Sequence, residues 1–574
     1  MNWYPELDES QAGNAPIFLY PTPGLQVRYL LNNGPIRGSI TVVGRTFVVA
    51  GPDFAELNVD GSVKYWGVVS NDSLTITMAA SPQQLLLESG GIAYVFDLAA
   101  NLLTAIPSVT FSGLVNQVGI CDDFFLVSIR NSKTFYVSAP LDANKWTANG
   151  SAIVSVFPDN IVSMTVIHRE IFFQSDTKSV WYYDSGAIFP FDVVPGSDSD
   201  QGSAARASTA QINNQPFWLA ANERGQGIVM SSVGYTPRRI STHAIEFAIQ
   251  GYSRIDDAVG FTEEDQGHYF YFLYFPTPSV TWVYDLATSM WHQRGYAVLT
   301  TGQFQAAHYQ NHTFNFGKHL VGDWSTPRVY EMHIPIANST GGWDFVTDDG
   351  NYIRRTRRAP HISHEQKWQF FHQLTLYMET GIGPSPPWLG PQPPGNLVLR
   401  DSSTKLWSIG VSDIGILTST PVTQGVEQPL TLNDPGNTTS WKIGVTTLGQ
   451  ITTTQVAFNA LNPTTFNMIS TSGLFLYTLK VTFVGVLQTY FAGAYLPDMN
   501  PKINLRWSND GGHKWSNMYE RTCGLAGEFK KRVFWTRLGR SRDMVVEISC
   551  SHPVPFRLID GYLEFTPARD MVAA

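Results

Sequence analysis

Between about residues 33 and 360 one unit keeps returning: a short apolar strand turns and comes back through a strand bearing Tyr or Trp. IAYVFDLA from Ile92, KTFYVSAP from Lys133, SVWYYDSG from Ser179, VTWVYDLATSMW from Val280 and RVYEMHI from Arg328 are examples. With Phe54, Tyr94, Tyr136, Trp181, Ile228, Trp282 and Tyr330 as markers, the period is about 40 to 55 residues, the length of a four-stranded propeller blade. A β-propeller of six or seven blades accounts for such repetition, because each blade covers its aromatic face with the next and the ring protects its strand edges. Two β-sandwiches would also give short strands at regular spacing and form the competing architecture.

Composition supports a mainly β chain. Of 574 residues, 43% are hydrophobic and 15% charged, with 48 Gly, 34 Pro and 13% aromatic, which favours short strands and punctuated turns over long helices. A formal net charge of −9 excludes a global basic field for nucleic acid but leaves room for a local basic patch. Cys121, Cys523 and Cys550 are too few and too scattered for a disulfide framework or a metal knuckle, which fits folding in a reducing cytoplasm. MNWYPELDES carries no basic segment followed by an apolar run, so no secretory signal is expected. The apolar stretch 481–496 falls short of the about 20 residues that a membrane helix needs.

The reading divides the chain into an N-terminal segment (1–32), the propeller (33–360), and a C-terminal β domain (361–395 and 497–574) that carries a β-rich insertion (396–496). WQFFHQLTLYM (368–378) reads as a strong strand, and GPSPPWLGPQPPG (383–395) as an extended, stiff connector. Between Trp407 and Leu479 the only charged residues are Asp413, Glu427, Asp434 and Lys442. A neutral surface of that size expects partners.

Tests for chemistry come out negative. There is no phosphate-binding G-x-x-x-x-G-K-[ST], no G-x-S-x-G and no dinucleotide glycine fingerprint. His364-Glu365 starts like a zinc-protease motif, but Trp368 stands where the second histidine is needed, and the His361/His364 pair has no evident third ligand. No catalytic, cofactor or metal residue is therefore assigned. SNDGGHKW (508–515) spells an Asp box, S-x-D-x-G-x-x-W, a pattern shared with sugar-cleaving propellers. Ser508, Asp510, Gly512 and Trp515 are expected to build a hairpin turn in which the Asp510 carboxylate accepts backbone N–H groups and Trp515 packs beneath the loop. One box, outside the repeats, describes a shape and not a reaction. IRRTRRAP (353–360) sets Arg354, Arg355, Arg357 and Arg358 close together, with Arg355 and Arg357 on one face of a strand and Arg354 and Arg358 on the other. They are candidate assembly contacts through intersubunit ion pairs; a phosphate-contacting stripe and a solvated edge strand are the other readings.

With these motifs placed, the chain resembles the packaged-DNA stabilisation family, the tail hub or nozzle proteins of short-tailed bacteriophages. LYPTPGL from Leu19, GPIRG from Gly34, LVGD from Leu320, IRRTRRAP, LRWSNDGGHKWSN from Leu505, FWTRLGRSRDMVVEIS from Phe534 and HPVP from His552 carry the likeness; nothing between about residues 395 and 496 does. The resemblance implies a structural virion protein of the tail, made in the host cytoplasm, without enzymatic activity or cofactor. It implies a homohexameric ring below the portal and its adaptor, which continues the channel for double-stranded DNA and prevents leakage. Its partners would be further copies of itself, the tail adaptor or head–tail connector, a tailspike or fibre, and the tail needle. The competing expectation is a virion-borne glycan-binding or glycan-cleaving propeller, sialidase-like or a depolymerase.

Overall fold

The computed structural model describes residues 1–8, 15–221, 225, 227–298, 301–337, 343–365, 367–379, 501–524 and 531–567, together with the strands of 396–494 and a few residues beside them. Nearly every element is a strand; the one α-helix among the described residues, His243–Gln250, packs Ile245 and Ile249 against the apolar side of blade 5.

The repeats form seven antiparallel sheets. Blade 1 runs Ile36–Val42, Arg45–Ala50, Asp53–Leu57 and Val63–Val68 from the axis outward, and blades 2 to 6 follow the same meander. The seventh is built differently. Its three inner strands, Tyr309–Asn315, Lys318–Asp323 and Arg328–His333, are completed by Gly24–Leu30, which pairs antiparallel with Arg328–His333. A strand from the start of the chain thus closes the ring on its last blade and removes two edges that would otherwise lie open. The seven aromatic or apolar markers each lie on the third strand of a blade, where one side chain in two enters the space between neighbouring sheets. Cores between blades are correspondingly aromatic: Phe47 stacks on Phe54 at 5.5 Å, Phe172 on Trp181 at 4.4 Å and Phe261 on Phe272 at 4.6 Å.

The domain boundaries differ from those expected. Residues 1–32 are no separate segment: Trp3–Leu7 and Ile17–Pro21 belong to the C-terminal domain, and Gly24–Leu30 belongs to the ring. Nor does the propeller reach residue 360, because Arg355–Arg358 pairs with Val545–Cys550 in the C-terminal domain. Strand pairing across the whole length of a chain leaves no local trace in composition.

That C-terminal domain is a β-sandwich. One sheet has the order Trp3–Leu7, Ile17–Pro21, Arg557–Pro567, Gln369–Glu379, Arg532–Ser541; the other has Arg355–Arg358, Val545–Cys550, Lys502–Ser508, Tyr519–Thr522. Trp3, Leu374, Ile503, Trp535, Ile548 and Phe556 fill the space between them.

Strand Trp3–Leu7 is shared by two cores, because its side chains alternate. Trp3 enters the sandwich beside Phe556, whereas Tyr4 lies against Phe270 at 5.7 Å in blade 6. Asn2 exchanges bonds with Gly295 of that blade at 2.7 and 2.8 Å, and Glu6 accepts from His268 at 2.7 Å. His268 also meets Asp285 at 2.9 Å, and these carboxylates, Asp285 foremost, raise its pKa to about 9. A charged imidazole thus clamps the strand that joins sandwich to ring.

The insertion consists of three three-stranded meanders, 396–422, 430–456 and 466–494, each touching the other two around Leu399, Trp407, Ile409, Leu432, Ile443, Met468 and Leu479. The first two share W-x-I-G-V at Trp407 and Trp441, an internal repeat that the sequence reading did not register.

Candidate functional site

The innermost strands of the blades surround an axial cavity of about 750 Å³, lined by Thr41, Thr77, Gln117, Thr165, Gln211 and His312 among others. Charges gather at one side of it. Arg37, only 1% exposed, gives its fork to Asp72 at 2.6 Å, to the carbonyls of Gly51, Ser70 and Leu74, and to Ser89. Arg130 bridges Asp72 and Glu88 at 3.1 and 2.8 Å, and Arg206 bonds Glu88 from the far side of the hub. Glu88 is itself buried, so this lattice of fully bonded charges ties blades 1, 2 and 3 to the segment entering blade 5. Every donor here is spent on the ring, which makes the lattice an architectural device.

The Asp box forms a closed turn. Asp510 accepts the backbone N–H of Lys514 at 2.8 Å and of His513 at 3.1 Å and the Ser508 hydroxyl at 2.7 Å, and these bonds, Lys514 first, hold its pKa below the usual carboxylate range. Gly512 donates to Ser508 Oγ at 2.8 Å and has φ of 96°, which an L side chain rarely adopts. Trp515 does not lie beneath the loop. The guanidinium groups of Arg358 and Arg506 stack on its ring, 4.8 and 4.7 Å from the centroid, and both also bond Glu547, at 2.7 and 2.6 Å. Sequence reasoning missed Glu547, the buried acid that draws box, arginine strand and neighbouring strand together; only the register reveals it.

The four clustered arginines separate. Arg355, expected on an assembly surface, is fully buried: its register with Cys550 turns it into the sandwich core, and none of its three nitrogens has a hydrogen-bond partner. Strand alternation was the right guide to faces, but an edge in sequence became the inner face of a sandwich. Arg354 donates to Gly302 O at 3.0 Å and stacks on Phe304, within the same chain. Arg358 is engaged by Glu547. Arg357 alone of the four is exposed with no ion pair among the described residues. His361 meets Asp543 at 2.8 Å, and among the described residues no three His, Cys, Asp or Glu side chains are placed to hold a metal ion.

Charge is divided sharply between the modules. Residues 1–350 hold 17 Lys and Arg against 32 Asp and Glu, while 351–380 and 497–574 hold 17 against 11. On the outer sandwich face, Arg532 lies over Tyr377 at 4.7 Å, and Arg540 and Arg542 lie over Trp368 at 4.3 and 4.9 Å. Arg537, with φ of 62° at a bulge of the same strand, is turned out to solvent.

Fold and surfaces together define a structural β protein: a seven-bladed ring closed by a strand from the start of the chain, fused to a basic sandwich. The profile of the family described as "Bacteriophage P22 Gp10, beta-propeller" matches residues 1–337, and the chain belongs to that family of bacteriophage DNA-stabilisation proteins, structural components of the virion. No curated protein matches. Among solved structures, the extracellular domain of the BT4673 system from B. thetaiotaomicron is similar over 87% of this chain and 73% of that one, with 11% identity and a TM-score of 0.38, too loose a likeness to build on.

Proposed function

We propose that the protein is the tail hub or nozzle of a short-tailed phage, made in the host cytoplasm and assembled as a ring, six copies by family resemblance, below the portal and adaptor. There it continues the channel for double-stranded DNA, retains the packaged genome and catalyses nothing. The observation that carries this reading is the extent of the family match: residues 1–337 take in the whole ring, from the closing strand Gly24–Leu30 to His333.

Dimensions favour a channel between copies. The major groove of DNA alone is about 12 Å wide and about 8.5 Å deep, and over one turn of about 34 Å it sweeps out several times the propeller's axial space of about 750 Å³. Duplex DNA therefore cannot run down the axis of one propeller, and a channel requires several copies around a common lumen. The charge-poor insertion suits the distal nozzle of such an assembly, where copies would pack around the exit; docking of a tailspike or fibre is the competing role for it.

Electron microscopy of the pure protein with the portal and adaptor complex tests the reading. A closed ring below the adaptor, with its lumen outside every propeller axis, is expected. Release of reducing ends from host polysaccharide by the pure protein, with no ring formed, would transfer the chain to the glycan-processing class. Deleting 396–496 should leave adaptor binding intact and produce particles that leak DNA or fail in ejection; particles that hold and deliver DNA but lack spikes would make the insertion a docking domain.

A further inference from the structure

The sheet that clasps the propeller through Trp3–Leu7 continues beyond that contact, and across its last three strands its outer face is uncovered. There Tyr377, Phe534 and Tyr562, with Arg532 beside them, line a groove of about 500 Å³. Phe534 is 54% exposed, Tyr562 47% and Phe370, further along the face, 43%. Lys531, Arg532, Arg537, Arg540 and Arg542 follow one another along its edge with no acid among them until Asp543. Aromatic side chains rimmed by arginine are the composition of a protein–protein contact, not of a solvated sheet.

Blade 4 carries the complement. Residues 159–200 hold seven Asp and Glu against two Lys and Arg. Its outermost strand, Phe191–Val193, is short, and the turn leading into it lifts Ile188 entirely into solvent, with Asp184 before it and the exposed Asp192 after it. An apolar tip between two carboxylates matches an aromatic groove edged by guanidinium groups in shape and in charge. Within one chain the two cannot meet, because the sandwich is fastened at blades 6 and 7, and blade 4 lies two blades from the one and three from the other.

We propose that the Ile188 tip of blade 4 docks into the Phe534 groove of a second copy of the chain, with Asp184 and Asp192 facing Arg532 and Arg540. The contact is heterologous, tip of one copy to groove of the next, and such contacts close into a ring when the rotation permits. The inference rests on the ring reading above and names the surface that makes the ring.

Self-association of the full chain is measured by sedimentation equilibrium, and trans contact by mixing two single variants, Ile188→Cys and Phe534→Cys, under mild oxidation. The three native thiols are buried, so the background is low. A disulfide-linked dimer containing one chain of each variant is expected, and Val109→Cys, equally exposed but on blade 2, should give none with Phe534→Cys. Asp184→Lys with Asp192→Lys should weaken association at least tenfold at low salt, and mixing that variant with Arg532→Glu/Arg540→Glu should restore it. A wild type that associates while the 188–534 pair stays uncoupled and the charge reversals have no effect overturns the contact and leaves the ring reading standing. A wild type that remains monomeric at low salt and high concentration overturns both. Loss of duplex-DNA binding in Arg532→Glu/Arg540→Glu with association unchanged would overturn it by giving the face to nucleic acid.

Discussion

Arg37 in the ring and Arg355 in the sandwich are both almost wholly inside the protein, and they are in opposite situations. Every nitrogen of Arg37 is bonded, to Asp72, Ser89 and three carbonyls, and Asp72 is shared with Arg130, which passes the lattice on to Glu88 and Arg206. Arg355 faces Cys550 with no bond at all among the described residues. A closed ring brings many strand ends to one hub and so offers carbonyls and carboxylates from several blades to a single fork. A sandwich interior is made of side chains alone, and a guanidinium turned into it meets hydrocarbon. Burial of charge therefore strengthens the first module and strains the second.

The largest effect expected from this contrast is in the ring. Glu88→Ala leaves Arg130 and Arg206 facing each other without their shared acid and should cost about 3–5 kcal/mol, the usual consequence of breaking a buried pair, seen as a fall in the thermal midpoint of the propeller. Arg355→Met should have the opposite sign, leaving stability unchanged or raising it by about 1–4 kcal/mol, as replacement of buried charge by apolar side chains has done elsewhere. A loss in Arg355→Met as large as that in Glu88→Ala would break the comparison and show that Arg355 has a partner.

Smaller, and conditional on pH, is the contribution of His268 at the joint of the two modules. Its pKa is raised to about 9, chiefly by Asp285 and then by Glu6, so the clamp contributes fully below the unfolded value near 6.5 and is lost as pH rises through about 9. The difference in thermal midpoint between wild type and His268→Gln should therefore be greatest near pH 6 and shrink by pH 10. A difference that does not change with pH would mean that packing against Tyr4, not charge, holds the strand. Smallest is Asp510→Ala. The turn is exposed, and its loss should loosen 508–515, read as faster amide exchange at His513 and Lys514, with the thermal midpoint nearly unchanged.

Much of the fold was legible in the chain itself. The markers from Phe54 to Tyr330 fall one to a blade because an aromatic residue on the third strand is what a blade needs to cover its neighbour, and that need recurs at a fixed period. The Asp-box turn was legible for a similar reason: Asp510, Gly511 and Gly512 meet their partners within a few residues. The number of blades was not, since the seventh takes its outer strand from residues 24–30, about 300 positions before the strand it pairs with.

The candidate surfaces divide along the same line. Local pattern by itself determined which residues form strands, which face each side chain takes, and that Arg354 to Arg358 alternate about a strand. Only the tertiary structure decided that Arg355 points inward, that Glu547 holds Arg358 and Arg506 against Trp515, and that Trp3 and Tyr4 serve two different cores. Strand alternation follows from backbone geometry and is written every two residues. Which face of a strand becomes the interior depends on a second sheet that the chain supplies from elsewhere, and no neighbouring residue records its arrival.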